Sequence, residues 1–327
     1  MSEHSVFSKT LKNISQPSPL IKINHKLFTL KNIELWVKRD DLIHPLISGN
    51  KWRKLLLNLE QVHQKHKESK QGIVSFGGPF SNHIHALAAA GQQLKIPTIG
   101  LIRGPELDLN NPTLKLAQQH GMQLKALTRT EYRQRNNADY LAQLSQTYPN
   151  WLIVPEGGSN DLAVQGVAKL VDEIDMNFDV ICTPVGSGGT LAGLASALTS
   201  HQAALGICVL KGAQYLEQTV HDLLLHNTHC DKQHIHPQWS INHEFHFGGY
   251  AKITPALVDF CSEFYQQFDI PIEPIYSGKM FYGLFKLIEQ DYFAPNSKIV
   301  AVHTGGLQGI KGLEYLKQIP TGKLVTQ

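Results

Sequence analysis

Several stretches of this 327-residue chain join a glycine turn to side chains that can bind an anion or attack a carbonyl. In PVGSGGTLAGLASAL an apolar run meets Gly186, Ser187, Gly188, Gly189 and Thr190 and then a helix-like segment. Glycines let backbone N–H groups approach oxygen atoms, the helix start adds positive partial charge, and Ser187 and Thr190 add hydroxyls. Together these make a phosphate cradle. A tight strand-to-helix turn is the plain alternative. The pattern G-x-x-x-x-G-K-[ST] is absent, and G-x-G-x-x-G fails because Leu191 holds its last position. No acid follows at the distance that would hold a ribose, so a compact phosphate monoester fits better than a dinucleotide.

In VKRDDLIHPLISGNKWRKLLLNL, Lys51 stands at a helix start after Gly49 and Asn50. The helix dipole disfavours an ammonium there and burial would depress its pKa further, so both effects favour the neutral amine that a Schiff base requires. Taken alone, a lysine is more often a solvated surface group. Lys54 and Lys65, on the same stretch, are read that way. In IVSFGGPFSNHIHALAAAG a strand and a Gly-Gly-Pro turn deliver Ser81, Asn82 and His83 to the start of an alanine-rich helix. Its free N–H groups suit a carboxylate or a ring oxygen, and Ser81 is otherwise an ordinary N-cap. HNTHCDKQHIH gathers His226, His229, Cys230, His234 and His236. A zinc site could be assembled from them, but a polar loop is the plainer reading, and no metal is assigned.

Positioning such residues takes alternating strands and helices. Apolar runs at 34–38, 72–76, 98–102, 151–154, 180–184, 206–210 and 298–303 alternate with amphipathic segments at 51–65, 82–93, 112–120, 161–175, 190–200, 254–267 and 279–290. That is the α/β pattern of open, twisted, largely parallel sheets flanked by helices. The glycine loops SFGGPFSNH, PEGGSND, PVGSGGTLAG and HTGGLQG recur at strand-to-helix junctions, the edge where such sheets bind ligands. With 42% apolar residues the chain can bury a large core, and its length points to two lobes. Net charge is +3 with the signs interspersed, a poor match to nucleic acid. Without a long apolar run or a signal-like N-terminus, a cytoplasmic protein with no membrane partner is expected. Cys182, Cys208, Cys230 and Cys261 form no C-x-x-C pair and read as reduced thiols.

These residues resemble the tryptophan-synthase-β type of pyridoxal-phosphate enzymes, in the branch of 1-aminocyclopropane-1-carboxylate deaminases and D-cysteine desulfhydrases. The resemblance runs from about Pro19 to about Gly309 through KRDD, SGNKWRKL, SNH, EGGSN, GSGGTLAGL, YSGK and HTGG, in that order. It implies that Lys51 carries pyridoxal 5′-phosphate as a Schiff base, that Gly186 to Thr190 hold its phosphate, that Asn82 bonds the ring hydroxyl, and that His83 and Thr304 lie at the cofactor. Ser81 corresponds to the family's catalytic serine, and Tyr276 and Tyr250 to active-site tyrosines, although the Y-G-x-P-N continuation is missing after Gly249. A large cofactor-binding domain at 1–52 plus 160–327, a small domain at 53–159 and a homodimer are further implications.

Within the branch, the residue after Tyr276 faces the pyridine nitrogen and is glutamate in the cyclopropane deaminases. Here it is Ser277, as in the desulfhydrases, which also share HTGG. A hydroxyl leaves the nitrogen closer to neutral, adequate when a Cα proton can be removed and a good leaving group departs. The expected reaction is conversion of D-cysteine to pyruvate, ammonia and hydrogen sulfide. Cyclopropane-carboxylate deamination, elimination from another D-amino acid with a β leaving group, and cofactor binding without turnover are the alternatives. The x-R-Q that commonly follows SNH is here Ile84, His85 and Ala86.

Overall fold

A computed structural model describes residues 17–47, 49–65, 71–227 and 238–325. In chain order the strands are β1 (Leu20–Ile23), β2 (Glu34–Lys38), β3 (Ile73–Gly77), β4 (Thr98–Arg103), β5 (Gln123–Leu127), β6 (Leu152–Val154), β7 (Val180–Val185), β8 (Ala203–Cys208), β9 (Gln238–Asn242) and β10 (Lys298–Val302). Six form one sheet in the order β1-β2-β10-β7-β8-β9, and four form another in the order β5-β4-β3-β6. Every pairing is parallel except β1 with β2. The α/β class with largely parallel sheets and flanking helices is therefore observed.

Both sheets have a switch point. From β7 the chain moves outward through β8 and β9 and then returns to place β10 on the other side of β7. From β3 it moves outward through β4 and β5 before β6 pairs with the free side of β3. Connections diverge at those places and leave crevices at the carboxyl ends of the strands. The four glycine loops noted in the sequence follow β3, β6, β7 and β10, so the topology puts one of them on each side of each crevice.

Burial explains the strand composition. In β7 and β10 all residues except Val180 and Lys298 are buried, as expected for parallel strands covered on both faces. The helix Asn50–Lys65 packs Trp52, Leu55, Leu59 and Val62 with Ile73, Ile84 and Leu87 of the second sheet's layer. Its first turn is tied to β2 by ionic contacts. Arg53 forks onto Asp40 at 2.6 and 2.8 Å and reaches Glu173 at 2.8 Å, while Lys38 meets Glu173 at 2.7 Å. Arg39 holds Asp41 at 2.7 Å. The KRDD run is thus a buried scaffold for the loop that ends at Lys51, with Gly49 N–H donating to Asp40 O at 2.8 Å.

Several expected elements are shorter or shifted. The 161–175 segment is helical only over Asp161–Ala168 and then breaks into a 3-10 turn at Val171–Glu173, which brings Glu173 to Arg53. The helix after β7 ends at Ala195, and β8 begins three residues before the expected 206. Strands β1, β5 and β9 and the helices Lys26–Lys31, Arg129–Arg133, Ala138–Thr147, Tyr215–His226 and Gly309–Tyr315 had no counterpart among the expected segments. No helix among the described residues is long and apolar enough to cross a membrane.

Candidate active site

Lys51 lies in the first turn of the helix Asn50–Lys65, between the loops that leave β7 and β10. A Cβ at Gly49 would fall 1.8 Å from the Thr304 carbonyl oxygen, so only glycine allows the two loops to touch. Asn50 N–H donates to Thr304 O at 3.3 Å, and Asn50 Nδ2 donates to Thr190 Oγ1 at 2.8 Å. These contacts fix the backbone from which Lys51 projects. Burial lowers its pKa from 10.5 to about 8, and among the described residues no hydrogen bond or ion pair engages its ammonium. It is an amine primed to be neutral, with nothing structural to do.

The loop after β7 delivers Ser187 and Gly188 to the start of the helix Gly189–Ala195. Ser187 Oγ lies 2.8 Å from Ser159 Oγ, which joins this loop to the one after β6. Between them sits Lys54. Its ammonium donates to Ser159 Oγ at 2.9 Å, Gly157 O at 3.1 Å and Ser187 Oγ at 3.3 Å. A Cβ at Gly189 would lie 3.1 Å from that nitrogen and 2.5 Å from Ser159 Oγ. Contrary to the expectation of a solvated surface group, Lys54 is fully buried, and burial followed by the Lys51 charge holds its pKa well below 10.5. The side chain turns inward because its position on the helix faces the crevice, not solvent. Lys65 is in the same helix, but its side chain lies outside the described residues.

Ser81 caps the helix Asn82–Leu94, accepting from Ile84 N–H at 3.3 Å. Asn82 reaches across to the other sheet, where its Nδ2 would meet a Cβ on Gly306 at 2.7 Å. His83 is buried with Nε2 at 2.7 Å from Ser75 Oγ, and that hydroxyl donates to Val154 O at 2.8 Å. The hydroxyl proton is therefore committed, Nε2 must be the donor, and Nδ1 is a bare acceptor. Nδ1 is buried without a partner among the described residues and would lie 3.1 Å from a Cβ on Gly158. Burial, then Lys51 and Lys54, hold the imidazole neutral.

The fourth side comes from the helix Ser277–Glu289 and the turn before it. Tyr276 lies against the phosphate-type loop, 3.1 Å from a Cβ built on Gly186, and its ring is 5.9 Å from that of Tyr250. Burial raises both phenols, with Tyr276 raised further by its neighbour Tyr250. Glu273 gave no signal in the sequence reading. It is fully buried and accepts from Ile275 N–H at 2.6 Å, Ser277 N–H at 2.7 Å and Tyr276 N–H at 3.0 Å. Burial still lifts it to about 7. Ser277 Oγ lies 3.1 Å from Glu273 Oε1 and accepts the Glu273 N–H at 3.0 Å. The Ser277 hydroxyl is thus engaged with a carboxyl group.

A phosphate monoester bearing an aromatic aldehyde fits these residues. The glycine loop and Lys54 offer N–H groups and a cation, Lys51 offers a nucleophilic amine, and His83 Nδ1 is a buried acceptor with no partner among the described residues. Pairwise contacts bring the Asn50 turn that carries Lys51 to Thr190 and Thr304, Asn82 to Gly306, His83 to Gly158 and Tyr276 to Gly186, with Ser277 next along the helix, Ser81 capping the helix that begins at Asn82, and Tyr250 against Tyr276. Among the described residues no cluster of metal-ligating side chains occurs. His226 ends a helix, whereas His229, Cys230, His234 and His236 lie outside the described residues.

The sequence pattern of the family described as pyridoxal-phosphate dependent enzyme matches residues 12–305. The chain is 28% identical over 331 aligned positions to the bifunctional D-cysteine desulfhydrase/1-aminocyclopropane-1-carboxylate deaminase, mitochondrial, of Arabidopsis thaliana, covering 93% of this chain and 79% of that protein. It is 26% identical to a D-cysteine desulfhydrase of Serratia proteamaculans, covering 90% of this chain and 92% of the relative. A crystal structure described as an ACC deaminase homologue superposes with a TM-score of 0.78 at 25% identity, covering 97% of this chain and all of that one.

Proposed function

Because the chain belongs to the pyridoxal-phosphate-dependent enzymes, we propose that it eliminates the β substituent of a small amino acid, D-cysteine first among candidates, at the site built around Lys51. The observation that carries this reading is the Lys51 amine, partly neutral near pH 8 and without a counter-ion among the described residues, at a helix start between glycine loops. When bound, pyridoxal phosphate supplies an electron sink for charge developing at the substrate Cα.

The chain's own residues then have separable tasks. Backbone N–H groups of 186–190, the Thr190 hydroxyl and the Lys54 ammonium would hold the phosphate. Asn82 would bond the ring hydroxyl, with His83 Nδ1 offering an acceptor in the same region. Lys51 would be the residue that holds the cofactor covalently, and its released amine would take the proton from the substrate Cα as the β substituent departs. Tyr250 and Tyr276, raised above the usual phenol range, stay protonated at neutral pH and can donate to the leaving sulfur. Ser81 and the N–H groups at its helix start receive the substrate carboxylate. Hydrolysis of the released fragment gives pyruvate and ammonia beside hydrogen sulfide.

Ser277 favours D-cysteine, which has a Cα proton and a good leaving group. Glu273 favours the second reading, deamination of the cyclopropane amino acid. Its carboxyl group lies one hydroxyl away from the place assigned to the pyridine nitrogen and would help keep that nitrogen protonated. We also propose a large domain at 1–52 plus 160–327, a small one at 53–159, and a homodimer. The two separate sheets support the division, with β3 to β6 making up the second. Cys182, Cys208 and Cys261, buried and in no disulfide among the described residues, suit a reducing cytoplasm.

The test is incubation of the purified holoenzyme with D-cysteine, L-cysteine, D-serine and 1-aminocyclopropane-1-carboxylate, assaying keto acid and sulfide. Sulfide and pyruvate from D-cysteine are expected at the highest kcat/KM. Efficient ring opening with D-cysteine untouched would promote the second reading. Cofactor uptake with no turnover on any substrate would leave a binding protein.

A further inference from the structure

Lys279 is fully buried on the helix that begins at Ser277, and none of the steps above uses it. Its ammonium donates to Gly249 O at 2.7 Å and His246 O at 2.9 Å and makes no ion pair among the described residues. Burying a cation against two neutral carbonyls is unfavourable unless the contacts accomplish something else. Those carbonyls belong to a loop whose backbone needs holding. Phe247 and Ala251 both have φ of 53°, with Gly248 at 92° and Gly249 at 123° between them. The left-handed region is disfavoured for phenylalanine and alanine.

The loop is two successive turns. Gly249 N–H closes the first onto His246 O at 3.0 Å, and Lys252 N–H closes the second onto Gly249 O at 3.2 Å. Each closing carbonyl also accepts a hydrogen bond from the Lys279 ammonium, so one ammonium locks both turns. Tyr250 is the first corner of the second turn, and the helix that supplies Lys279 begins immediately after Tyr276. Phe247 rests on the same helix, its ring 4.9 Å from that of Tyr282.

We propose that Lys279 is the positioning residue that clamps the 246–252 loop and so sets the Tyr250 phenol against Tyr276 at the mouth of the site. The kinetic half of this inference rests on the reading of Tyr250 as substrate-facing; the clamp itself does not. Holoenzyme carrying Lys279→Met should keep its cofactor colour, because the phosphate loop lies on other elements. Amide exchange at Gly249 and Lys252 should accelerate on the order of tenfold or more, as for a segment opening locally. The fall in kcat/KM should match that of Tyr250→Phe, and the double variant should lose little beyond either single one, as for residues acting as a unit. Lys279→Gln, which can still donate to both carbonyls, should recover part of both readouts and serves if the methionine variant does not fold. Unchanged exchange in the loop of a folded variant, or a double variant that loses the product of the single effects, overturns the proposal. If Tyr250→Phe alone leaves turnover intact, the substrate-facing reading of Tyr250 fails, and with it the proposed placement.

Discussion

Replacing Lys51 with alanine should lower turnover by about 10³-fold or more, the combined loss of a covalent anchor and a general base, while the chain still binds pyridoxal phosphate non-covalently. The physical reason for separating the two effects is that the proposed phosphate cradle shares no hydrogen bond with Lys51 among the described residues. Gly186 to Thr190, Ser159 and Lys54, which would form it, are tied to one another and to Asn50. Borohydride treatment of wild-type holoenzyme should leave a pyridoxyl group on the peptide containing Lys51, and the alanine variant should carry none. A label on another lysine, or an alanine variant with normal turnover, would remove Lys51 from the chemistry.

The lowered pKa adds a sign that can be checked. A free lysine is protonated up to about pH 10.5, but burial brings Lys51 to about 8. Capture of the cofactor aldehyde needs the neutral amine. Recapture by apoenzyme should therefore speed up as pH rises through about 8 and level off well before 10.5. A profile still climbing at pH 10 would show that the crevice does not desolvate Lys51.

How much of this was legible in the residues depends on which kind of contact made the feature. Strands β3, β4, β7 and β10 are largely apolar and buried, and β2 has an apolar centre between Glu34 and Lys38, so their positions follow from composition because a strand buried on both faces needs such residues. The edge strand β5, QLKAL, is half exposed, and the helices Arg129–Arg133 and Ala138–Thr147 are short and polar, so periodicity gave them no signal. Lys51 was found through the SGNK turn and a family resemblance, since a lysine's sequence neighbours do not reveal what faces its ammonium. Lys54 shows the difficulty: three residues along the same helix, its environment comes from Gly157, Ser159 and Ser187, more than 100 positions away. Glu273, and the role of Lys279 within YSGK, also escaped notice. One caps its own turn with three backbone N–H groups, and the other reaches carbonyls 30 and 33 residues earlier. Neither has a spacing that composition can reveal.

The test of that lesson is Lys54→Met, for which cofactor affinity and apoprotein stability should respond differently. Charge-assisted hydrogen bonds to a phosphate contribute roughly 1.5–3 kcal/mol, so loss of the ammonium should weaken cofactor binding by about 10- to 100-fold. Without cofactor, the same ammonium is a buried cation facing only neutral oxygens, and its removal should leave the apoprotein at least as stable at neutral pH. The sign with pH follows from linkage. Lys54 has a folded pKa below its unfolded 10.5, so between those two values the unfolded chain binds the extra proton and apoprotein stability rises with pH. Methionine should remove the Lys54 share of that slope, leaving the part due to Lys51 and Lys279, both lowered to about 8. Equilibrium binding of pyridoxal phosphate and apoprotein melting at pH 7, 8.5 and 10 would measure both effects (the last two pH values spanning roughly the linkage window). An unchanged cofactor affinity would show that Lys54 merely ties the loops after β6 and β7 together. In that case apoprotein stability should fall instead, because Ser159, Ser187 and the Gly157 carbonyl would lose the donor that joins them.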